Sequence, residues 1–411
     1  MRLLLSAFAC APGYGSEPGI GWGIVSQVSR KHETWVLTCA DNQRSIEQAI
    51  AQKPCSNAHF VFADLPGSLG SRAIKSRFHH IYYILWQFEA YRVAKLLHKK
   101  IGFDLVQHVT YGSFWMPSLM GYLGVPFVWA AGLKDEMPVA FLRDVSWRSL
   151  VRELARNAVM RVFGPVNSLV TAHLATMIIT SSDPKLWGSR LPVKRLFVGG
   201  LSEEETDVLG ALPCAPHHGS SLFRVASIGR LMGLKGFSLG IRAFARLANV
   251  YPSSEYWIIG DGPERSYLLR LAANLNCERN VRFLGWIPRE ELLEILPSID
   301  VLLHPSFHEQ FGYVVLEAMA AGKPVVCIDK AGPSGLVSED CGFKIQVTDP
   351  RQVVNEIFAA LAQLASNNAK RMSMGAAARK RAGTIFSWSR KGEEMFEVYS
   401  MIVKPHSPSN H

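Results

Sequence analysis

The chain has 411 residues, of which 48% are hydrophobic, with 33 glycines, 22 prolines and a formal net charge of +10. This length suits two domains of ordinary size, and the composition is typical of globular α/β proteins. Its seven cysteines are scattered and form no Cys-x-x-Cys pair, which argues against a disulfide framework or a zinc site and favours a reducing cytosol.

The positive charge is concentrated in the first half of the chain. Residues 1–200 contain 22 Lys+Arg against 12 Asp+Glu, whereas residues 201–411 contain 22 of each. This asymmetry predicts either a solubilising surface bias or a basic face that meets an anionic membrane surface. A nucleic-acid partner is not predicted, because no recognised binding module is present.

Two apolar stretches could be mistaken for membrane or targeting segments. The N-terminal run up to Cys10 is too brief for a signal peptide and leads into a glycine-rich loop, so a buried first strand is predicted. The uncharged stretch from Thr110 to Leu133 contains two prolines and four glycines, which favours a loop–helix–strand unit over a membrane span.

The first strand, Leu3–Ala7, is followed by a glycine-rich loop that contains Gly15 and Glu17, and then by a helical pattern through Val28. Glycines at such a turn allow the backbone to approach a ligand closely, although a tight turn alone is the alternative. The spacing is not the dinucleotide fingerprint, so a nicotinamide-dependent enzyme is not predicted.

Strands at 34–38 and 60–63 precede a basic, aromatic and amphipathic stretch, Arg72–Lys100. Apolar residues recur in it at helical spacing, and Tyr82, Tyr83 and Trp86 are candidate interfacial aromatics. Either a membrane-surface helix or an ordinary helix packed on a sheet has this composition.

Strands at 105–109 and 126–130 follow, and their ends should border a cleft. His108 lies at the first strand end, where it either faces a substrate or is a satisfied core residue. Lys134, just after the second strand, is a candidate acceptor contact. A helix over 145–162 and a strand over 177–180 complete a predicted first domain, residues 1–200, and residues 201–221 are the predicted linker.

The second half alternates strands and helices, which predicts a second doubly wound domain over residues 222–385. Its first strand ends in Gly229-Arg230-Leu-Met-Gly-Leu-Lys235-Gly236, which places two cations ahead of a helix. Arginine can bind phosphate oxygens bidentately and lysine adds a mobile charge, so this loop is a candidate diphosphate site. A last helix is predicted over 386–403.

The segment from Val301 to Ile328 is predicted to form a strand, a polar turn, a helix over 313–321 and another strand. Glu309 lies in the turn, Gly312 at the start of the helix and Glu317 inside it. An uncapped helix N-terminus offers free N–H groups to an anion.

The order Pro-Ser-x-x-Glu309-x-Phe-Gly312-x-x-x-x-Glu317-Ala-Met-Ala-x-Gly-Lys-Pro resembles the signature of family 4 retaining glycosyltransferases. The resemblance implies the GT-B fold, an α/β fold of two doubly wound Rossmann-like domains facing across a cleft, with residues 386–403 crossing back to the first domain. The Gly-Ser-Glu17-Pro-Gly loop also resembles a subgroup tied to exopolysaccharide assembly.

By this resemblance Arg230 and Lys235 hold the donor diphosphate, Glu309 contacts the transferred sugar and Glu317 binds the ribose hydroxyls. The other residues implied in donor binding are Gly15, Gly229, Asp261, Trp286, Phe311 and Gly312. The acceptor-side candidates are Glu17, His108 and Lys134. Many family members have a histidine where this chain has Gly132, so that direct role does not transfer.

The sequence therefore predicts a metal-independent, cofactor-free enzyme that moves a hexose-type sugar from a nucleotide diphosphate to a glycan or lipid-linked acceptor. The predicted location is the cytoplasm, including the inner face of the membrane. The alternatives are a sugar-nucleotide epimerase or a phosphorylase of the same fold, and a non-catalytic nucleotide-sugar-binding protein.

Overall fold

The computed structural model describes residues 1–13, 15–67, 75, 79–112, 116–132, 137–181, 187, 191–213 and 222–403, with only the backbone at 167 and 331. The chain divides into two compact units. Unit 1 comprises the described residues of Met1–Lys134, Val159–Gly200 and Trp388–His411. Unit 2 comprises those of Asp135–Ala158 and Leu201–Ser387. The described residues 137–158 thus group with unit 2, although the sequence predicted them within the first domain.

Unit 1 is built on a seven-stranded, fully parallel sheet in the order β3-β2-β1-β4-β5-β6-β7. Its strands are β1 Arg2–Ser6, β2 Glu33–Cys39, β3 Ala58–Ala63, β4 Leu105–His108, β5 Phe127–Ala130, β6 Met177–Thr180 and β7 Val193–Arg195. The chain direction across the sheet reverses between β1 and β4, and ligands of such sheets bind at the carboxyl ends of the strands at that point.

Within the described residues, the first four α-helices in chain order are α1 Ser16–Val28, α2 Gln43–Gln52, α3 His79–Ile101 and α4 Trp147–Leu174. The predicted helix over 145–162 is therefore longer at its C-terminal end, despite Pro165 inside it. Strand β7, which has only three residues, was not predicted.

Helix α3 corrects one prediction from the sequence. Tyr82, Tyr83 and Trp86 are buried in the core of unit 1 and are not interfacial aromatics. The indole N–H of Trp86 donates to the Ala63 carbonyl at 2.9 Å, which ties α3 to the end of β3. Residues 72–74 and 76–78 of the predicted basic stretch lie outside the described residues.

The last helix among the described residues, Trp388–Ile402, packs within unit 1 against α1. A Cβ atom on Gly23 would overlap the Trp388 ring, so glycine there lets the two helices approach. The hydroxyl of Tyr399 donates to Gln107 of β4, and Lys31 pairs with Glu393 at 3.0 Å.

Unit 2 contains a six-stranded parallel sheet in the order β10-β9-β8-β11-β12-β13. Its strands are β8 Phe223–Ile228, β9 Ser254–Ile259, β10 Val281–Gly285, β11 Val301–His304, β12 Val325–Ile328 and β13 Gly342–Ile345. Here the strand order reverses between β8 and β11. The two sheets with flanking helices confirm the predicted α/β fold class.

The helices of unit 2 are α5 Glu203–Gly210, α6 Phe237–Val250, α7 Arg265–Asn274, α8 Arg289–Ile295, α9 Tyr313–Ala320, α10 Ala331–Leu336, α11 Pro350–Ser366 and α12 Asn368–Ile385; α13 is the Trp388–Ile402 helix of unit 1. Helix α5 lies inside the predicted linker. It begins with a capping box between Ser202 and Glu205, which stabilises a short helix. Within the described residues, no helix has both the length and the apolarity needed to cross a bilayer.

Candidate active site

Two strand ends approach each other closely at the carboxyl edge of the unit 2 sheet. Gly229 follows β8 with φ +149°, and Gly260 follows β9 with φ +130°. A Cβ atom on Gly260 would overlap the carbonyl oxygen of Gly229, so only glycine fits there. The backbone N–H of Leu231 donates to the Asp261 carbonyl at 2.9 Å. Gly229 and Asp261, which were predicted from separate motifs, therefore adjoin.

The two predicted phosphate-binding cations lie just beyond this contact. Arg230 is exposed, and among the described residues it makes no ion pair. Lys235 ends a 3-10 helix, Gly233–Lys235, and is followed by Gly236 with φ +63°. A Cβ atom on Gly236 would overlap the Pro305 carbonyl oxygen, so this loop packs directly on the turn after β11.

Lys235 and Glu309 form an ion pair although they are far apart in sequence. The Lys235 Nζ also donates to the His308 carbonyl at 3.2 Å. The loop is held in place by the Phe307 N–H, which donates to the Leu234 carbonyl at 2.8 Å. One predicted cation and one predicted carboxylate thus lie together at the carboxyl end of β11.

The surroundings of Glu309 keep it ionised. Burial alone would raise the pKa of its carboxyl, but the charge of Lys235 and the hydrogen bond from Lys235 outweigh burial and lower the pKa below its ordinary value. His304 Nε2 lies 3.7 Å from Glu309 Oε2. Burial lowers the pKa of His304 to about 4, so the imidazole is neutral at physiological pH.

Gly312 forms the N-cap of α9 with φ +94°, in the left-handed region that favours glycine. No side chain caps this helix, so its first N–H groups remain available to an anion. The ring of Phe311, the residue just before Gly312, is buried. The backbone here is fixed by Gly332, whose N–H donates to the Glu309 carbonyl at 2.9 Å.

Glu317, one turn into α9, is buried and takes part in a three-residue ion network. Its Oε1 accepts from Arg289 Nε at 2.9 Å, and Arg289 NH2 donates to Glu205 Oε1 at 2.7 Å. Burial raises the pKa of Glu317, and Arg289 offsets only part of that rise. Glu205 is fixed in turn by the Ser202 N–H at 2.8 Å.

Sequence reasoning missed Arg289. A signal was present, since Arg289 is the first residue of α8 and follows Pro288. A cation in the first turn opposes the helix dipole, so its presence there indicates an acidic partner elsewhere. That partner could not be identified from spacing, because Glu205 and Glu317 come from two other helices.

Trp286, one of the predicted donor-binding residues, follows Gly285, the last residue of β10, which has φ +76°. Its side chain is 75% exposed. The indole is therefore free to stack on a planar ligand, and its role stays a prediction.

In unit 1, Gly15 is the N-cap of α1, and Glu17 lies in the first turn. The Glu17 carboxylate accepts from the Tyr111 N–H at 3.1 Å, which joins α1 to the residues after β4. Burial raises the pKa of Glu17, and this hydrogen bond counters part of the rise. Both residues lie at the point where the strand order of the unit 1 sheet reverses.

His108 is buried at the end of β4, and its Nε2 lies 3.2 Å from the Tyr83 hydroxyl. Burial lowers its pKa to about 4, so it is a neutral core residue. This position favours the core alternative over an acceptor contact. Lys134, the third acceptor-side candidate, lies outside the described residues.

A separate cluster in unit 1 has the ligand types for a metal ion: Cys39, Asp41 and Asp64, whose ligand atoms lie within 4.8 Å of one another. The Lys75 ammonium already binds this cluster, at 2.6 Å from Asp64 and 2.9 Å from Asp41. Burial would lower the pKa of Lys75, but these hydrogen bonds outweigh it and raise the pKa. The cluster is thus an ion-pair group centred on the buried Lys75.

The match to a known protein family falls in unit 2. Residues 218–381 match the model of the family described as glycosyl transferases group 1. The chain is 37% identical over 149 residues to the lipopolysaccharide core biosynthesis glycosyltransferase LpsE of Rhizobium meliloti, covering 36% of this chain and 41% of that protein. It is 35% identical over 186 residues to a D-inositol 3-phosphate glycosyltransferase of Corynebacterium urealyticum, covering 43% of each. The aligned regions thus span about two fifths of these curated relatives.

Solved structures match over nearly the whole chain. Sucrose-phosphate synthase from Thermosynechococcus elongatus is 18% identical with a TM-score of 0.66, covering 97% of this chain and 98% of that one. Anabaena HepE, in complex with UDP and glucose, is 20% identical with a TM-score of 0.58, covering 97% and 99%. At such identities the likeness concerns the fold, which is GT-B as predicted. The chain thus has the GT-B fold, and its residues 218–381 are similar to the glycosyl transferases group 1 family.

Proposed function

We propose that this protein is a retaining glycosyltransferase that moves a hexose-type sugar from a nucleotide diphosphate to a glycan or lipid-linked acceptor, in the synthesis of a surface or extracellular polysaccharide. The observation that carries the proposal is the Lys235–Glu309 ion pair beside the uncapped N-terminus of α9. It joins a phosphate-binding cation, an ionised carboxylate and an anion-binding helix end at one edge of the unit 2 sheet.

The charge pattern of this edge suits the departure of a diphosphate. As the glycosidic bond of the donor breaks, negative charge grows on the leaving phosphate and positive charge grows on the sugar ring. Arg230, Lys235 and the N–H groups after Gly312 stabilise the first, and the Glu309 carboxylate stabilises the second. Fixed charges of this kind reduce the barrier because they need no reorganisation during the reaction.

The ion pair also defines the role of Lys235 before the donor binds. The ammonium keeps the pKa of Glu309 low, so the carboxylate is already ionised when substrate arrives. A bound diphosphate shares the same ammonium, which couples phosphate binding to the charge on Glu309. The donor phosphates thus bind a lysine that the ion pair already holds in place.

The donor class is supported by solved structures of similar fold, since Anabaena HepE was solved with UDP and with UDP-glucose. We propose that the donor of this chain is likewise a nucleotide-diphosphate sugar. Retention would follow if the incoming hydroxyl attacks from the face that the phosphate leaves, with that phosphate accepting its proton. No cofactor is needed in this scheme, and the cations at the phosphates take the place of a divalent metal.

The decisive experiment measures nucleotide diphosphate release with and without acceptor. Nucleotide sugars are first screened by thermal shift, and those that stabilise the protein are then tested with glycan and lipid-linked acceptors. Release that requires acceptor, with a product of retained anomeric configuration by NMR, is expected. Donor conversion without acceptor would identify an epimerase, and sugar transfer only to inorganic phosphate a phosphorylase. Donor binding without turnover by any acceptor would identify a non-catalytic binding protein.

We also propose that the protein works at the inner face of an anionic membrane, where a lipid-linked acceptor would lie. The support is the excess of basic over acidic residues within residues 1–200. On α3 the exposed face carries Ile81, Leu85 and Phe88 in one stripe, while its aromatic face is buried. One helix therefore has both features that the sequence left as alternatives, a core face and an apolar outer face.

A further inference from the structure

Helix α4 directs large apolar side chains into solvent over its C-terminal half, which belongs to unit 1. Six side chains there are 43–65% exposed: Val159, Val162, Phe163, Val166, Leu169 and Val170. Single exposed apolar residues are common on protein surfaces, but a continuous run along one helix is not.

The spacing of these residues shows that the stripe is one face of the helix. Successive members are three, one, three, three and one residues apart, which keeps them on one side at 3.6 residues per turn. The opposite side is buried and contains Met160, Gly164, Thr171 and Ala172. The inward face thus packs small and polar residues, and the outward face is the more apolar of the two.

Helices α3 and α4 lie on the same face of the unit 1 sheet. Helix α3 connects β3 to β4 and α4 connects β5 to β6, so both connections run in the same direction across the sheet. Right-handed crossovers that run in one direction place their helices on one face. In agreement, Tyr82 of α3 and Ala172 of α4 belong to one core cluster.

A short 3-10 helix, Leu119–Leu123, links the two helices. The Tyr91 hydroxyl of α3 donates to the Tyr122 carbonyl at 3.1 Å. On the other side, Gly121 packs against Leu174, the last residue of α4. The exposed faces of α3 and α4 therefore belong to one outer layer, which we call the outer helical layer.

The charge of the outer helical layer indicates which partner it binds. Helix α3 ends in exposed basic residues, Lys95, Lys99 and Lys100, and α4 carries the exposed Arg161 outside its apolar stripe. The acidic Glu89 of α3 is already paired with Arg92 at 2.6 Å. A second copy of this chain would bring the same cations against each other, whereas an anionic lipid surface complements them.

We propose that the outer helical layer docks on an anionic bilayer, with the apolar face of α4 inserted among the headgroups and the lysines of α3 at the lipid phosphates. Interfacial helices combine an apolar face with basic residues in this way. The inference rests on the proposed function only for its lipid-linked acceptor. It locates membrane contact on α4, a helix in which the sequence indicated no membrane role.

The first test measures co-sedimentation with phosphatidylcholine vesicles that contain phosphatidylglycerol. The variant Val162→Glu/Val166→Glu places two charges in the stripe. Its matched control, Val208→Glu/Val250→Glu, makes the same change at two exposed valines of unit 2. At least tenfold weaker vesicle binding is expected for the first variant and wild-type binding for the control. Equal binding by both variants would overturn the proposal.

The second test addresses charge. Lys95→Gln/Lys99→Gln should weaken binding about fivefold per lysine, from about 1 kcal/mol for each basic residue near an anionic leaflet, and salt should reduce the difference. Lys53→Gln/Lys380→Gln, at two exposed lysines away from the layer, is the control. Binding that is equally strong on pure phosphatidylcholine would contradict the electrostatic part.

Two further measurements separate the possible failures. Sedimentation velocity without lipid is expected to show the same mass for wild type and Val162→Glu/Val166→Glu. A dimer that this variant dissociates, without vesicle binding by the wild type, would assign the layer to a second copy. Acceptor-dependent turnover without vesicle binding would overturn docking alone, and vesicle binding without turnover would overturn the transferase alone.

Discussion

Arg289 Nε lies 2.9 Å from Glu317 Oε1, and its NH2 lies 2.7 Å from Glu205 Oε1, so one arginine bridges the predicted ribose-binding carboxylate and the cap of a neighbouring helix. Because Glu317 is buried, its ionised form depends on this partner. We infer that Arg289 positions Glu317 and keeps it charged for the ribose hydroxyls.

Arg289→Ala is expected to weaken nucleotide diphosphate binding roughly 10–100-fold, the effect of losing hydrogen bonds to a charged group. The readout is calorimetric affinity for the ribonucleotide beside its 2′,3′-dideoxy counterpart. The loss should largely vanish with the dideoxy compound, and Arg289→Lys should restore part of it. An equal loss with both nucleotides would show that Arg289 acts elsewhere.

Arg230→Ala should reduce kcat/KM by the equivalent of roughly 2–4 kcal/mol, as for other preorganised groups that stabilise developing charge. Arg230 is exposed and makes no ion pair among the described residues, so its removal should leave folding intact. Arg265→Ala, at an exposed arginine that begins α7, is the matched control. Wild-type kinetics in folded Arg230→Ala would remove this residue from the diphosphate site.

Activity is expected to survive a metal chelator. The physical reason is that Arg230, Lys235 and the N-terminus of α9 already supply positive charge where the diphosphate would bind. Turnover is measured with excess EDTA, and then with added magnesium or manganese. Complete loss in EDTA that either ion restores would refute metal independence.

Mild acid should destabilise unit 1 through His108. Its pKa is about 4 in the folded protein, so between the ordinary histidine value and pH 4 the unfolded chain binds the proton first. Stability therefore falls as pH falls through this window, by about 2 kcal/mol between pH 7 and pH 5 for this one residue. Urea denaturation at both pH values measures it. His108→Gln, which can still hydrogen-bond Tyr83, should show a smaller fall, and an unchanged fall would contradict the assignment.

Motifs with unusual backbone needs were the most predictable parts of this chain. The glycines at 229, 260 and 312 all have positive φ. Each follows an apolar strand or precedes a helix, so their turns could be located from the sequence alone. The Lys235–Glu309 contact was not predictable from spacing, because it arises only when β8 and β11 become neighbours in the sheet.

Exposure was the least predictable property. The aromatic residues of α3 fit either a core or an interface by periodicity, and only packing against β3 decides that Tyr82 and Trp86 are buried. Likewise, the helical pattern of α4 did not show that the apolar side of this helix faces outward. Helix α5 was assigned to a linker because half of its eight residues are acidic and a stretch rich in proline, histidine and glycine follows, and its capping box outweighs that composition.

The central claim is that Glu309 and Glu317 do different work, and one paired measurement tests it. Glu309 is expected to stabilise charge that exists only while the glycosidic bond breaks, whereas Glu317 binds ribose throughout the reaction. The measurement is calorimetric affinity for the nucleotide diphosphate beside steady-state kinetics, for Glu309→Gln and Glu317→Gln. We predict that Glu309→Gln lowers kcat while nucleotide binding survives, and that Glu317→Gln weakens binding of donor and bare nucleotide alike. Loss of nucleotide binding in Glu309→Gln with intact binding in Glu317→Gln would contradict the account.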